Sequence, residues 1–332
     1  MSNERFCRRR FLGAAPILGG AAVILNMNQI QGQSPNAADA RFRVMGNRVS
    51  VFYSPFLGLV AGGFLKAEGL DPTYDVLGTR DTSAVLKSGD ADVVQGAVST
   101  NWTAAEAGKT DLPAHIAQIN QHDGFFLLRR GSETAFEWKQ LEGKALLADH
   151  GGQPLIMLRY GLNYNKVDWS KIRVIDAGSP TAMYNAFRSG MGDYVHMQGA
   201  APQQLELDGV GKVVASFGES TPPVAFSSVV ASRDFVKTPK YQAFLRAFAK
   251  SKMWAQQAPP REIAEKQASY FPDLSVDALT RAIARYQAMG TWATGLDIPR
   301  DQYEQAWKVF SWAGAVKRPH AYEEVCIRPA TV

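Results

Sequence analysis

The chain has 332 residues and a formal net charge of +5, and 46% of its residues are hydrophobic and 20% charged. This balance excludes an intrinsically disordered protein and leaves room for one large or two medium globular domains. The two cysteines, Cys7 and Cys326, exclude a disulfide-rich scaffold. Basic residues form no long run, so we expect no nucleic-acid partner.

The first 40 residues have the layout of an export signal. Arg8-Arg9-Arg10-Phe11-Leu12 resembles the twin-arginine pattern, although an ordinary secretory signal stays open. The apolar stretch 11–25 is short for a bilayer span, and Ala38-Asp39-Ala40 offers a cleavage site. We predict that residues 1–40 are a signal peptide and that the mature chain acts in the periplasm.

Strand and helix patterns alternate through the first part of the mature chain. Apolar and β-branched runs predict strands, and Ser, Thr or Pro at the start of the next pattern predicts helices. The predicted strands are 48–53, 73–77, 93–98 and 114–119, and the predicted helices include 56–67 and one that carries Trp102.

The second part repeats this alternation and ends in helices. The continuous apolar runs 125–128 and 226–231 are typical of strands buried on both faces, and we expect the chain to cross between two lobes there. Between them lie predicted strands at 144–148, 172–175 and 194–197. Helices are expected to begin near Thr238-Pro239, Pro259-Pro260, Ser275 and Asp301, with Trp307 and Trp312 in the core.

A short pattern occurs twice in the chain. Residues 86–94 (LKSGDADVV) and 187–195 (FRSGMGDYV) share an apolar and a basic residue, Ser-Gly, two variable residues, an Asp and a β-prone pair. Gly after a last basic turn ends a helix in the left-handed conformation, and the Asp opens a strand. The sequence therefore predicts two equivalent α/β units with a ligand groove between them.

Loops that lead from strands into helices are the candidate binding segments. Ligands of parallel α/β sheets lie at the carboxyl ends of strands, where helix N-termini attract negative groups. The candidate ligand-binding residues are Tyr53, Ser54, Thr79, Arg80, Ser99, Thr100, Asn101, Trp102, His150, Gly151, Gly152, Gln153, Ser179 and Thr181.

Each of these residues also has a structural interpretation. Most of them could simply cap helices. Arg80 is the only cation in the loops able to bind a carboxylate, sulfonate or sulfate in a bidentate manner, but it could instead pair with Asp81 or remain in water. Tyr53 and Trp102 could stack on an organic group or belong to the core.

Catalytic and metal-binding patterns are absent from the sequence. His115, His122, His150, His196 and His320 have no metal-ligand spacing with Cys or carboxylates. The chain also lacks a Gly-x-Ser-x-Gly motif, a phosphate-binding Walker loop and a dinucleotide fingerprint. We therefore predict a protein that is not an enzyme and uses no cofactor or metal.

Four segments together resemble a known family. Residues 53–56 (YSPF), 64–71 (FLKAEGLD), 87–92 (KSGDAD) and 141–144 (LEGK) resemble, in this order, the periplasmic solute-binding proteins of ABC importers for nitrate, sulfonates, taurine and pyrimidine precursors. The resemblance covers nearly all of the mature chain.

The resemblance implies an α/β fold of the two-lobed periplasmic-binding-protein type (type II), in which each lobe has a mixed, mainly parallel sheet flanked by helices. Lobe 1 would comprise 41–127 and 226–332, and lobe 2 would comprise 128–225. A small organic anion would close the cleft, and the closed monomer would dock on an ABC permease in the inner membrane. Ligand contacts would come from Tyr53, the Arg80 loop, 99–102 and 151–153.

Alternatives to this function stay open. The ligand could be a neutral heteroaromatic such as a pyrimidine precursor, or the protein could be a sensor without a permease. Enzymes that resemble this fold include pyrimidine synthases, with a Cys-rich motif and a His, and desulfinases with a Cys nucleophile. Residues 52–56 (FYSPF) contain neither Cys nor His, which disfavours both reactions.

Overall fold

A computed structural model describes residues 40–149, 152–292 and 295–330. The predicted signal peptide, His150 and Gly151 lie outside the described residues. All described residues belong to one compact unit. Among them, no helix has both the length and the apolar character needed to cross a membrane.

The described chain alternates strands and helices and then continues as helices. The strands are β1 Arg41–Gly46, β2 Asp71–Val76, β3 Val93–Gly96, β4 Ala114–Asn120, β5 Phe125–Arg130, β6 Ala145–Ala148, β7 Arg173–Asp176, β8 Tyr194–Gln198, β9 Gly211–Ser216 and β10 Ser227–Ala231. The α-helices are α1 Ser54–Ala61, α2 Phe64–Ala67, α3 Thr82–Ser88, α4 Val98–Glu106, α5 Gly152–Tyr164, α6 Pro180–Arg188, α7 Ala201–Leu207, α8 Phe217–Ser220, α9 Pro239–Gln257, α10 Pro260–Gln267, α11 Val276–Ala288, α12 Arg300–Trp312 and α13 Tyr322–Val325.

The strands form two five-stranded sheets of the same topology. Sheet 1 has the order β2-β1-β3-β10-β4, and sheet 2 has the order β7-β6-β8-β5-β9. In each sheet one strand, β10 or β5, runs antiparallel to both of its neighbours. The predicted fold class, α/β with two mixed and mainly parallel sheets, is confirmed. The lobe boundaries near residues 127 and 226 stay a prediction.

The two copies of the repeated pattern occupy equivalent places in the two sheets. Gly89 and Gly190 follow α3 and α6 with φ of +75° and +107°, a conformation that L-residues with a side chain rarely adopt. Asp92 accepts a hydrogen bond from the backbone N–H of Arg43 at 2.7 Å, and Asp193 accepts one from Ala145 at 2.8 Å. Each Asp therefore fastens the start of one strand to the central strand of its sheet.

The first predicted strand was wrong. The run 48–53 was predicted as a strand because of its apolar and β-branched residues, but β1 lies earlier and Val51–Tyr53 is a turn of 3-10 helix. Ser50 starts that turn by accepting a hydrogen bond from the N–H of Phe52, and this local contact competes with strand pairing. The run is buried because it packs at the centre of the molecule, not because it belongs to a sheet.

The structure differs from the predicted elements at three further places. The predicted helix 56–67 is divided into α1 and α2 because Gly63 takes a φ of +76°. Helix α7 and strand β9 were not predicted. Trp312, expected in the core, has 44% of its surface exposed.

One large hydrophobic cluster connects the two sheets. It contains Phe42 and Val93 of sheet 1 and Phe126 and Leu146 of sheet 2, while a smaller cluster lies on the outer side of each sheet. Tyr286 of α11 lies between the sheets, and its hydroxyl donates to the carbonyl of Gly124 at 2.6 Å. The sheets are thus packed together, and the cavities between them are limited in size.

Candidate functional site

A polar cavity lies at the carboxyl ends of strands from sheet 1. Its volume is about 430 Å³, and Asn47, Gln95, Ser99 and Thr100 line it on the side of β1, β3 and α4. Gly152 and Gln153 at the start of α5 line the opposite side. We call it the polar chamber.

An apolar cavity adjoins the polar chamber at the carboxyl ends of sheet 2. Its volume is about 300 Å³, and its walls include Phe125, Met183 and Met197 from sheet 2 and its helix α6. The turn 270–274 between α10 and α11 closes the other side. We call it the apolar chamber.

Arg48 lies at the junction of the two chambers and lines both of them. Its Nη1 is 3.1 Å from Oδ2 of Asp149, which follows β6 of sheet 2. The Asp149 side chain is only 8% exposed, whereas one third of the Arg48 side chain is exposed. The ion pair therefore links the ends of the two sheets, and no other side-chain contact of the guanidinium is recorded among the described residues.

Gln198 also lines both chambers. Its Nε2 donates to the hydroxyl of Tyr53 at 3.3 Å, and its Oε1 is buried without a partner among the described residues. Because a Tyr hydroxyl both donates and accepts, a rotated amide could keep the Tyr53 contact and turn its NH₂ group toward a ligand. This pair can therefore offer a ligand either an acceptor or a donor.

Helix α4 points its N-terminus at the polar chamber. Its N-cap residue, Ala97, cannot supply a side-chain hydrogen bond, and none is present. A helix start without a side-chain cap leaves N–H groups and the positive end of the dipole available to an acceptor. Thr100 does not fill this role, because its hydroxyl donates back to the carbonyl of Ala97 at 2.7 Å.

Six of the predicted site residues line the chambers. Five of them lie at the polar chamber and Thr181 lies at the apolar one. The five are Tyr53, Ser99, Thr100, Gly152 and Gln153. Gln153 is held in place because its Nε2 donates to the carbonyl of Phe226 at 2.7 Å. His150 and Gly151, which precede α5, are outside the described residues.

The structure does not bring Arg80 to either chamber. Its Nη2 lies 2.7 Å from Oδ2 of Asp75, and its Nε donates to the carbonyl of Leu77 at 2.9 Å. The pairing is with Asp75, not with Asp81, and the hydrogen bond from Arg80 lowers the pKa of Asp75. Asp81 instead caps α3 through the N–H of Ala84. Arg80 and the exposed Thr79 thus belong to a surface turn.

Four further predicted residues have structural roles away from the chambers. Ser54 is fully buried and donates to the carbonyl of Val51 at 2.7 Å. Asn101 donates to the carbonyl of Pro113, and Ser179 caps α6. Trp102 is fully buried, and its Nε1 donates to the hydroxyl of Tyr303 at 2.8 Å.

Arg48, Asp149 and Gln198 were not among the binding residues predicted from the sequence. Arg48 was not considered as a binding residue because it was assigned to a strand. The repeat nevertheless indicates that a loop follows the first strand at this position. Asp92 and Asp193 accept hydrogen bonds from Arg43 and Ala145, so these two residues are equivalent. Residue 47 follows Arg43 by four positions, as residue 149 follows Ala145, and the loop that contains 149 was recognised from the sequence. Applying the repeat to the first strand would have placed Asn47 and Arg48 in the corresponding loop.

The deeply buried histidines of the described chain lie away from the chambers. The two deeply buried histidines, His115 and His196, have pKa values lowered to about 3 by burial, and neither lines a chamber. Among the described residues, no group of three or more His, Cys, Asp or Glu side chains is placed to hold a metal ion. The arrangement offers hydrogen bonds and an apolar wall.

Comparison with known proteins gives the family. The NMT1/THI5-like family matches residues 46–262. YtlA of Bacillus subtilis (strain 168), which is named as a candidate binding protein, is 28% identical over 282 residues, covering 83% of this chain and 84% of YtlA.

Solved structures show the same fold. The periplasmic aliphatic sulphonate binding protein SsuA from Escherichia coli has a TM-score of 0.68 at 14% identity, covering 88% of this chain and 94% of SsuA. The desulfurization enzyme DszB has a TM-score of 0.60 at 13% identity, covering 87% of this chain and 97% of DszB. With the sheet topology and the family match together, the chain belongs to the NMT1/THI5-like family of periplasmic solute-binding proteins.

Proposed function

We propose that the protein is the substrate-binding component of an ABC importer, which captures a small organic anion such as a sulfonate, a sulfate ester or a carboxylate. It passes the ligand unchanged to a permease in the inner membrane and acts as a monomer. SsuA, which shares the fold, binds aliphatic sulphonates. That likeness supports the ligand class.

The observation that carries the proposal is the position of Arg48. It lies between the chambers, and its guanidinium makes one side-chain contact with the described residues, at Nη1, although a guanidinium has five N–H donors. The start of α4, without a side-chain cap, adds a positive partial charge on the same polar chamber. An anion at this point would gain charge-assisted hydrogen bonds from the guanidinium.

The position of Ser54 supports binding over catalysis. In the desulfinase relatives a Cys near this place is the nucleophile, but the hydroxyl of Ser54 is held by Val51 and by Gln267 at 2.9 Å. Cys326, the one cysteine in the described ranges, lies near the C-terminus, and burial raises its pKa to about 12. A thiolate is the reactive form of Cys, so this side chain is a poor nucleophile.

The twin-arginine pattern at Arg8 and Arg9 supports export to the periplasm by that route. Replacing both residues by Lys should keep the full-length protein in the cytoplasm, as measured by cell fractionation. Normal export of this variant would contradict the route.

Calorimetry with the mature protein tests the ligand class. The panel contains sulfonates, sulfate esters, carboxylates and neutral pyrimidines, and bound compounds are recovered and checked for turnover by mass spectrometry. For the best anion, Arg48→Ala should weaken binding roughly 10- to 100-fold, since it removes a charge-assisted hydrogen bond. Arg80→Ala is the matched control, because Arg80 lies on a surface turn, and it should leave the affinity unchanged.

A second variant separates ligand binding from the ion pair. Asp149→Asn breaks the pair but keeps the charge of Arg48, so anion affinity should stay the same or increase. Equal losses in Arg48→Ala and Asp149→Asn would mean that the pair acts by linking the sheets. Preference for a neutral pyrimidine, unaffected by Arg48→Ala, would overturn the anion class, and recovery of a changed compound would overturn the binding function.

A further inference from the structure

The apolar chamber offers more apolar space than a small inorganic or one-carbon anion would fill. Phe125, Met183 and Met197 are each less than 5% exposed, and they present apolar surface to the chamber from sheet 2. Phe271 and Leu274 face them from the turn 270–274. A cavity of about 300 Å³ is roughly twice the size of an apolar protein cavity that takes up benzene.

Most of the charged and amide groups of this chamber lie at its junction with the polar chamber, while its other walls carry the hydroxyls of Ser50, Thr181, Tyr184 and Tyr270 among apolar side chains. Arg48, Asp149 and Gln198 lie there, and Asp273 is exposed at the outer turn. An anionic group at Arg48 would therefore have hydrogen-bonding groups on one side and an apolar space on the other. A ligand that spans this junction must be polar at one end and apolar at the other.

We propose that the apolar chamber is a subsite for the apolar body of an amphipathic organic anion, whose charged group lies at Arg48. The ligand is then a carboxylate or sulfonate with a ring or an alkyl chain of several carbons. Phe271 and Leu274 set the length and shape that are accepted. This inference rests on the proposed function and extends it from the charged group to the rest of the ligand.

The burial of apolar carbon gives a quantitative expectation. Each methylene moved from water into an apolar site contributes about 0.8 kcal/mol, which is about a fourfold gain in affinity. The gain should continue with chain length until the chamber is filled and then stop. A site consisting of the polar chamber alone would show no such dependence.

Calorimetry of the mature protein with two matched series tests the subsite. The probes are acetate, butanoate and octanoate, and methane-, butane- and octanesulfonate. Within the series whose charged group binds, affinity should rise at least 100-fold from the shortest to the longest member. A flat series would overturn the subsite and leave the proposed function intact, whereas failure of the whole anion panel described above would overturn the proposed function itself.

Filling the chamber provides an independent test. Ala201, the first residue of α7, lines the apolar chamber, so Ala201→Phe should abolish the gain with chain length but leave the binding of the shortest anions unchanged. The matched control is Ala182→Phe, since Ala182 is exposed on α6 and does not line the chamber. Circular dichroism and thermal unfolding establish that both variants fold. If Ala201→Phe bound octanoate and octanesulfonate as the wild type does, the apolar body would lie elsewhere.

Discussion

Sheets 1 and 2 have the same strand order and the same directions, yet their last strands have different surroundings. All seven residues of β4 in sheet 1 are buried, whereas four of the six residues of β9 in sheet 2 are only half-buried. The difference comes from the C-terminal part of the chain. Ile327 donates its N–H to the carbonyl of His115, and Gln118 donates to the carbonyl of Leu296.

The consequence is an unequal distribution of buried polar groups. Covering β4 places Lys252 of α9 inside the protein, 1% exposed, where its Nζ donates to the carbonyl of Gln118 at 2.7 Å. In the described part of sheet 2, no lysine or arginine is buried in this way. The two sheets therefore share the topology that the repeat indicates, but the C-terminal part of the chain covers the last strand of sheet 1 and leaves that of sheet 2 half-buried.

The largest expected effect concerns Lys252. Burial lowers its pKa to about 7, and Asp297 offsets part of this effect. The unfolded chain holds this proton up to about pH 10, so stability should rise by about 1 kcal/mol per pH unit between pH 7 and 10. Lys252→Met should remove this slope, with its largest gain over the wild type at or below pH 7, as measured by urea unfolding.

Lys250→Met is the matched control for that experiment, because Lys250 lies on the same helix but is exposed and paired with Glu68 at 2.7 Å. It should keep the slope of the wild type. A wild-type protein whose stability does not change between pH 7 and 10 would contradict the lowered pKa of Lys252 and the comparison drawn from it.

The second effect tests the equivalence of the repeats. Asp92→Ala leaves the backbone N–H of Arg43 in β1 without its acceptor, and Asp193→Ala does the same to Ala145 in β6, which should cost about 1.5–3 kcal/mol in the free energy of unfolding. Asp92→Ala should cost more, because Asp92 also accepts from the Nε of Arg43 at 3.2 Å. Denaturant unfolding measures both values. If one of the variants were as stable as the wild type, the two copies would not share a structural role.

The sequence predicted the topology better than it predicted the site. Gly89 and Gly190 mark the ends of helices because the left-handed conformation is a local property of glycine, and the repeated Asp marks the start of the following strand in each copy. Strands were also recognised at 125–128 and 226–231 because their apolar runs predict burial on both faces, and the strand residues 125–128 and 227–231 are buried.

The site depends on contacts between distant residues, which single-sequence patterns do not contain. The sequence favoured Arg80, which lies in a predicted loop, over Arg48, which was assigned to a strand. In the structure Arg80 finds its carboxylate five residues away, whereas Arg48 finds its partner 101 residues away. Trp102 is similar, since its partner Tyr303 is 201 residues distant. Local patterns identified the loops, and only the fold determined which side chains of those loops face the cleft.

The smallest effect compares one buried histidine from each sheet. His115 of β4 bonds Ser228 through Nδ1 at 2.6 Å, whereas neither ring nitrogen of His196 in β8 has a partner among the described residues. His196 is instead stacked on Phe125, with the ring centroids 4.3 Å apart. At pH 7, His196→Leu should therefore change the free energy of unfolding by less than about 1 kcal/mol. His115→Leu should cost about 1–3 kcal/mol, because it leaves the hydroxyl of Ser228 buried without that partner.

The pH dependence of these two variants separates packing from ionisation. Both folded-state pKa values are about 3, so the folded protein keeps both rings neutral while the unfolded chain binds protons below about pH 6.5. Wild-type stability must then fall as the pH decreases from 6.5 toward 3, and each Leu variant should remove an equal part of that slope. Thermal unfolding between pH 4.5 and 7 measures it. Equal slopes with unequal stabilities at pH 7 would show that burial, which the two sheets share, governs the titration, while the Ser228 contact, found only in sheet 1, governs the stability.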